Sequence, residues 1–190
     1  IAASLDDPSR FVGLHFFVPA HIMKLLEIIR GDASAPTALA SGFRLAKQLG
    51  KIPVVAGVCD GFIGNRILAR YREAADLLLL HGATSAQIDK AMTGFGYAMG
   101  PYEAQDMSGL DIAFANRRRQ DASRDPNRTY VHIADKMVEA GRLGRKTGLG
   151  WYSYANDGRA ATDSLVEALI IAEADHAGIT RRHFSDNELV

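Results

Sequence analysis

Residues 11–31 read FVGLHFFVPAHIMKLLEIIRG. Phe11–Phe17 is a short apolar run rich in aromatics, bounded by Arg10 and Pro19, and Met23–Ile29 is a second run that stops at Gly31. Each is short and bracketed by breakers, which predicts two buried strands rather than helices. Downstream, Ser34–Gly50 predicts a helix, with Ser34 as N-cap, Pro36 in the first turn, a stripe through Leu39, Phe43, Leu45, Ala46 and Leu49, and Gly50 past the end. Lys51–Val58 predicts a third strand, and Pro53 places it at an edge or marks its beginning. The first 58 residues therefore read as α/β.

From Asp60 the pattern turns helical. Gly61–His81 predicts one long amphipathic helix closed by Gly82, its apolar arc wide enough to expect burial on more than one side. Thr84–Gln87 has capping-box spacing and opens a short helix to about Phe95. Gly94, Gly96, Gly100 and Pro101 predict a loop, Pro101 starts another helix, and Met107–Gly109 predicts a kink before Leu110–Arg119. Arg117–Arg128, with five Arg against two Asp, reads as a solvated polar loop. Tyr130–Ala140 and Ala161–Ala177 predict helices, Trp151–Tyr154 a brief strand, and Ser185–Val190 an N-cap with a first helical turn.

Composition narrows the function classes. The 190 residues balance 22 Lys plus Arg against 22 Asp plus Glu, which argues against a nucleic-acid binder held by overall charge. A single Cys, Cys59, excludes an internal disulfide framework and a Cys-based zinc cluster. No run approaches ~18 apolar residues, so no membrane-spanning helix is expected. The opening IAASLDDPSR does not read as a signal peptide, and the missing initiator Met suggests a piece of something longer.

Two positions stand out chemically. His15 lies in the first predicted strand and Glu27 in the second. Opposed side chains on paired strands sit ~5 Å apart. A carboxylate beside an imidazole fixes its tautomer and favours its protonated form, as a general base oriented by a third group requires. The same pair serves equally as a structural polar contact, and spacing alone leaves both readings open. Asn65 follows Gly61 and Gly64, which frame a helix start where backbone can approach a ligand, or simply pack closely. Gly144–Gly150 is a Gly-rich basic turn that lacks phosphate-loop spacing. His21, His81, His132, His176 and His183 show no metal-ligand spacing.

Five motifs occur in order: Gly13-Leu14-His15-Phe16-Phe17-x-Pro19, Met23-Lys24-Leu25-Leu26-Glu27-Ile28-Ile29, Gly61-Phe62-x-Gly64-Asn65-Arg66, Met99-Gly100-Pro101, and Gly144-Arg145-Lys146-Thr147-Gly148-x-Gly150-Trp151-Tyr152. Together they resemble L-3-hydroxyacyl-CoA dehydrogenase, the NAD-linked third step of fatty-acid β-oxidation, from about Phe11 to Tyr154. The variants are most similar to the bifunctional members, in which an enoyl-CoA hydratase domain precedes the dehydrogenase. The resemblance implies an α/β remnant, the last strands of a Rossmann-type NAD-binding domain over residues 1–59. A mainly α-helical C-terminal domain over residues 60–190 would cover the acyl-CoA substrate and form a homodimer, with Gly61–Leu80 and the helices after it as the partner surface. It implies a bacterial cytoplasmic or peroxisomal setting and no secretion.

The resemblance also implies roles. His15 would remove the 3-hydroxyl proton as hydride leaves C3 for the nicotinamide. Glu27 would hold the imidazole's tautomer and stabilise its charge. Asn65 would hydrogen-bond to the substrate oxygen or to His15, and Lys146 matches a cofactor contact. Two departures matter. No G-x-G-x-x-G turn occurs in the 190 residues, and the family's catalytic Ser has no counterpart, Ser4 being too close to His15. Val18 stands beside the cofactor position, where the family usually has Asn or Ser, and cannot hydrogen-bond. Two other readings are a noncatalytic helical dimerisation module and a related β-hydroxyacid dehydrogenase that relies on Lys. On these grounds the 190-residue chain alone is expected to bind NAD poorly and to give no NADH signal with a 3-hydroxyacyl-CoA. A clear rise in absorbance from the purified chain would contradict this.

Overall fold

A computed structural model describes residues 1–189, the side chain of Ser123 excepted, and its contacts fall into two units, Ile1–Arg70 and Tyr71–Val190. Val190, the last residue of the expected terminal turn, lies outside the described residues.

The first unit is built on a three-stranded sheet of order β1-β2-β3, where β1 is Gly13–Phe16, β2 is Leu25–Arg30 and β3 is Ile52–Gly57. β1 pairs with β2 antiparallel, and β2 pairs with β3 in parallel. Parallel pairing needs a crossover, which is the helix α1, Pro36–Gln48. The three expected strands form with their ends shifted by one or two residues, and β1 is half-buried along its length where a buried strand was expected. Pro53 sits near the start of β3, a sheet-edge strand among the described residues, where its missing N–H breaks no ladder.

Side chains alternate across the sheet. Leu26 and Ile28 share one face with α1, and both are fully buried. Each contributes ~1.5–3 kcal/mol of burial. Gly42 allows α1 to approach so closely that a Cβ there would stand 3.1 Å from Ile28 Cγ2. Glu27 points to the opposite face. Ser34 does not cap α1 as expected, since the N-cap is Ala35. The Ser34 hydroxyl instead donates to the Phe11 carbonyl (2.6 Å) and accepts from the Gly31 N–H (3.0 Å), tying the entry of β1 to the exit of β2.

Among the described residues, six α-helices, α2 to α7, carry the second unit. α2 (Gly64–His81) begins in the first unit, and its buried residues, Ala75, Leu79 and Leu80, all lie in the second. The expected burial on several sides fails over its first turns, where Ile67 is 65 % exposed. α3 (Ser85–Phe95) opens with the expected capping box, in which Gln87 N–H donates to Thr84 Oγ1 (3.1 Å) and Thr84 N–H donates to Gln87 Oε1 (3.1 Å). α4 (Pro101–Ser108) and α5 (Leu110–Gln120) are separated at Gly109, with φ +91°, where the kink was expected. α5 runs through Arg117–Arg119, where the expected helix Leu110–Arg119 and the expected polar loop Arg117–Arg128 overlap, so the helix holds there. Arg is a good helix former, and Arg117 Nε donates to Asp135 Oδ1 at 2.7 Å, so the polar stretch is anchored rather than merely solvated. α6 is Ile133–Glu139, β4 (Ser153–Tyr154) pairs with β5 (Ala160–Ala161), and α7 is Ser164–His176, capped by Asp163. The core gathers Leu79, Leu110, Ile133, Met137, Val166 and Trp151, and Trp151 meets the Tyr102 ring at 4.5 Å.

Two buried carboxylates organise the loops of this unit. Asp89 accepts from the N–H groups of Tyr102 (2.9 Å) and Glu103 (3.0 Å), capping α4, and from Tyr152 OH (2.7 Å). Asp106 accepts from the N–H groups of Trp151 (2.8 Å) and Tyr152 (3.0 Å) and from Tyr154 OH (2.8 Å). A Cβ on Gly150 would fall 2.0 Å from Asp106 Oδ1, and one on Gly144 2.3 Å from the Asp106 carbonyl. The Gly-rich basic turn thus wraps a carboxylate of its own chain and is no phosphate cradle. Asp106→Ala would leave two buried amides and a phenol unpaired, and is expected to cost about 3 kcal/mol or more by urea denaturation. A loss below about 1 kcal/mol would show that other groups satisfy those donors.

Candidate active site

The antiparallel register of β1 and β2 sets His15 directly opposite Glu27. Opposed residues project from the same face, and His15 Nδ1 lies 2.6 Å from Glu27 Oε2. The carboxylate is fully buried, whereas the imidazole is 29 % exposed. Glu27 can only accept when ionised, so Nδ1 carries the hydrogen and donates it. In the neutral ring Nε2 is then left as an acceptor. Aromatic rings flank the imidazole, Phe17 at 4.9 Å and Phe62 at 5.3 Å between centroids, both tilted. They fix the ring plane while leaving it partly open.

The second oxygen of Glu27 faces the start of α2. Glu27 Oε1 accepts from the N–H of Ile63 (3.0 Å) and of Gly64 (2.7 Å). Burying a carboxylate costs several kcal/mol unless its lone pairs are met, and here both oxygens have donors. Burial pushes the Glu27 carboxyl up, but the Gly64 amide, His15 and the Ile63 amide together bring it below the ordinary 4.5. The two free helix-end amides gain an anion where the helix dipole favours one. Gly64 itself is required here, because a Cβ would lie 2.6 Å from Phe17 Cζ.

The other residues singled out in the sequence fall differently. Asn65 is the second residue of α2 and exposed, one position after the amide that holds Glu27, and among the described residues no hydrogen bond joins it to His15 or Glu27. Val18 is 90 % exposed. Lys146 belongs to the second unit, where its Nζ donates to Asp111 Oδ1 at 2.6 Å. The sequence reading missed Phe17, Phe62 and the Ile63 and Gly64 amides. The framing glycines Gly61 and Gly64 did signal a close approach, and the group that approaches is Glu27 of the same chain.

A dinucleotide needs a strand-to-helix turn with free amides for its pyrophosphate. The first unit has two such turns, and both are filled. Before α1, Ser34 occupies the turn and Pro36 removes a donor; before α2, Glu27 takes the amides. The described residues therefore fit a proton acceptor next to a cofactor and do not form the cofactor's phosphate site.

Comparison with known proteins identifies the family. Residues 1–59 match the family model described as "3-hydroxyacyl-CoA dehydrogenase, NAD binding domain", and residues 61–154 match "3-hydroxyacyl-CoA dehydrogenase, C-terminal domain". The chain belongs to the 3-hydroxyacyl-CoA dehydrogenase family. It is 40 % identical to a peroxisomal bifunctional enzyme of Danio rerio over the whole of this chain, which spans 28 % of that relative's length. Among solved structures, the dehydrogenase part of multifunctional enzyme 1 from C. elegans is similar with TM-score 0.68 and 33 % identity, over 99 % of this chain and 42 % of that one. (S)-3-hydroxybutyryl-CoA dehydrogenase PaaH1 from Ralstonia eutropha gives TM-score 0.72 and 38 % identity, over 82 % of this chain and 56 % of that one.

The Glu27 contacts imply a pH dependence. A carboxyl held below its unfolded value contributes stability above that value and loses it as pH falls through the folded one. The stability difference between wild type and Glu27→Gln, read by urea denaturation, is therefore expected to shrink as pH falls below 4.5. A difference that grows on acidification would contradict the assignment.

Proposed function

We propose that this chain supplies the proton-transfer machinery for oxidation of a (S)-3-hydroxyacyl-CoA to the 3-oxoacyl-CoA, within a longer fatty-acid β-oxidation enzyme that uses NAD. Residues 1–59 would serve as the end of its NAD-binding domain and residues 60–190 as its substrate-covering helical domain. The observation that carries the reading is the 2.6 Å contact between a partly open imidazole and a buried, amide-held carboxylate.

NAD, when bound, would take the hydride from C3. His15 Nε2 takes the hydroxyl proton in the forward direction and returns it in reverse, which suits a group whose ordinary pKa lies near working pH. Glu27 keeps Nδ1 protonated, so that Nε2 is the basic nitrogen, and stabilises the imidazolium that forms. Asn65, exposed on the first turn of α2, is placed for a polar contact to the substrate oxygen. Lys146 would meet the cofactor, exchanging its Asp111 partner for it. Val18 offers the cofactor only apolar contact. The exposed Ile67 and Leu68 on α2, with Ile63 just before it, support a homodimer through this helix. A noncatalytic module would favour an imidazole sealed in apolar packing, and His15 is open to solvent instead.

In a full-length enzyme carrying these residues, His15→Ala is expected to lower kcat by ~10²–10⁴ with KM little changed. A loss of only a few-fold would remove His15 from the general-base role and favour a lysine-based relative.

A further inference from the structure

The turn before α2 contains an outlier. Gly61 has φ +73° and Phe62 has φ +46°, and Phe62 is the sole non-glycine residue with positive φ among the described residues. Glycine enters that region freely, but a side chain there is strained. Strain of this kind persists only where the surroundings over-determine it. The peptide that follows Phe62 carries the Ile63 N–H, and the next carries the Gly64 N–H, so the Phe62 backbone sets the direction of both. Consecutive amides brought round in this way form a concave anion nest, and the anion in it is Glu27 Oε1, at 3.0 and 2.7 Å. The other oxygen of that carboxylate holds His15 Nδ1. The Phe62 ring also lies against the imidazole.

We propose that Phe62 is a positioning residue: its left-handed backbone aims the Ile63 and Gly64 amides at Glu27 and so holds the carboxylate that fixes His15. The proposal rests on the His15–Glu27 reading above and deepens it. Phe62 touches no reacting atom, and its influence passes through the amides to Glu27 and from Glu27 to the ring. His15 is the charged neighbour that acts on Glu27, and β3 presents Val54 at the paired position. Without the amides, only His15 opposes the effect of burial, and the carboxyl moves upward.

The test is a carbon-13 NMR titration of the Glu27 carboxyl in the 190-residue chain, comparing wild type, Phe62→Gly and Phe62→Val. Glycine keeps the left-handed backbone and loses the ring, whereas valine, β-branched, resists that backbone. The expected result is a Glu27 midpoint below 4.5 in wild type and in Phe62→Gly, and a midpoint clearly higher than the wild-type one in Phe62→Val. An unmoved midpoint in Phe62→Val overturns the proposal, as does a Phe62→Gly midpoint raised above 4.5. Should the valine variant fail to fold, Phe62→Ala replaces it, with the same upward shift expected and an unmoved midpoint again overturning the proposal. The readout is independent of turnover. A Glu27 midpoint that ignores Phe62 beside a large kcat loss in His15→Ala would sink the positioning role and leave the function standing. The reverse pair of results would sink the function and leave the positioning role.

Discussion

The buried carboxylate of Glu27 is the constraint on which the first unit depends. It lies with no exposed surface in the middle strand of a small sheet, a position that would be costly for an unpartnered charge. One oxygen meets the imidazole of the neighbouring strand, and the other meets two amides at the start of α2. A single side chain therefore ties β1, β2 and the helix start together and gives His15 one preferred hydrogen-bonding state. The contacts that make burial tolerable are also the ones that orient the imidazole.

The same device appears twice more, with a different outcome. Asp89 and Asp106 also accept two backbone amides each, and each takes a tyrosine hydroxyl as third partner. At both, burial outweighs the hydrogen bonds and pushes the carboxyl up. At Glu27 the balance reverses, with an imidazole able to carry charge as third partner. A tyrosine hydroxyl only satisfies an oxygen, whereas an imidazole can exchange a proton with what lies beyond it. The two aspartates thus anchor loops, whereas Glu27 joins a titratable partner, although all three look alike as buried acids.

Much of this was legible in the residues. The two apolar runs around His15 and Glu27 gave the strands, and their spacing allowed the register that brings the pair together. Thr84 and Gln87 gave the capping box, and Gly109 the break between α4 and α5. Ser34 misled because a serine before a proline looks like a cap, while tertiary contacts gave its hydroxyl to Phe11 and Gly31. Arg117–Arg119 fell in both an expected helix and an expected loop, and the sequence could not decide between them because partners such as Asp135 sit far away along the chain. The Gly-rich stretch around Lys146 lacked phosphate-loop spacing, but nothing local shows that Asp106, some forty residues earlier, is what its glycines pack against. Phe62 was invisible for a related reason, since a left-handed phenylalanine is imposed by what surrounds it and not by its own preference.

The most direct measurement is nitrogen-15 NMR of the His15 imidazole in the 190-residue chain at neutral pH and above. If Glu27 fixes the ring, the neutral form should carry its hydrogen on Nδ1, with Nε2 showing the shift of a bare acceptor nitrogen. A neutral ring protonated on Nε2, or one averaging between the two forms, would contradict the account.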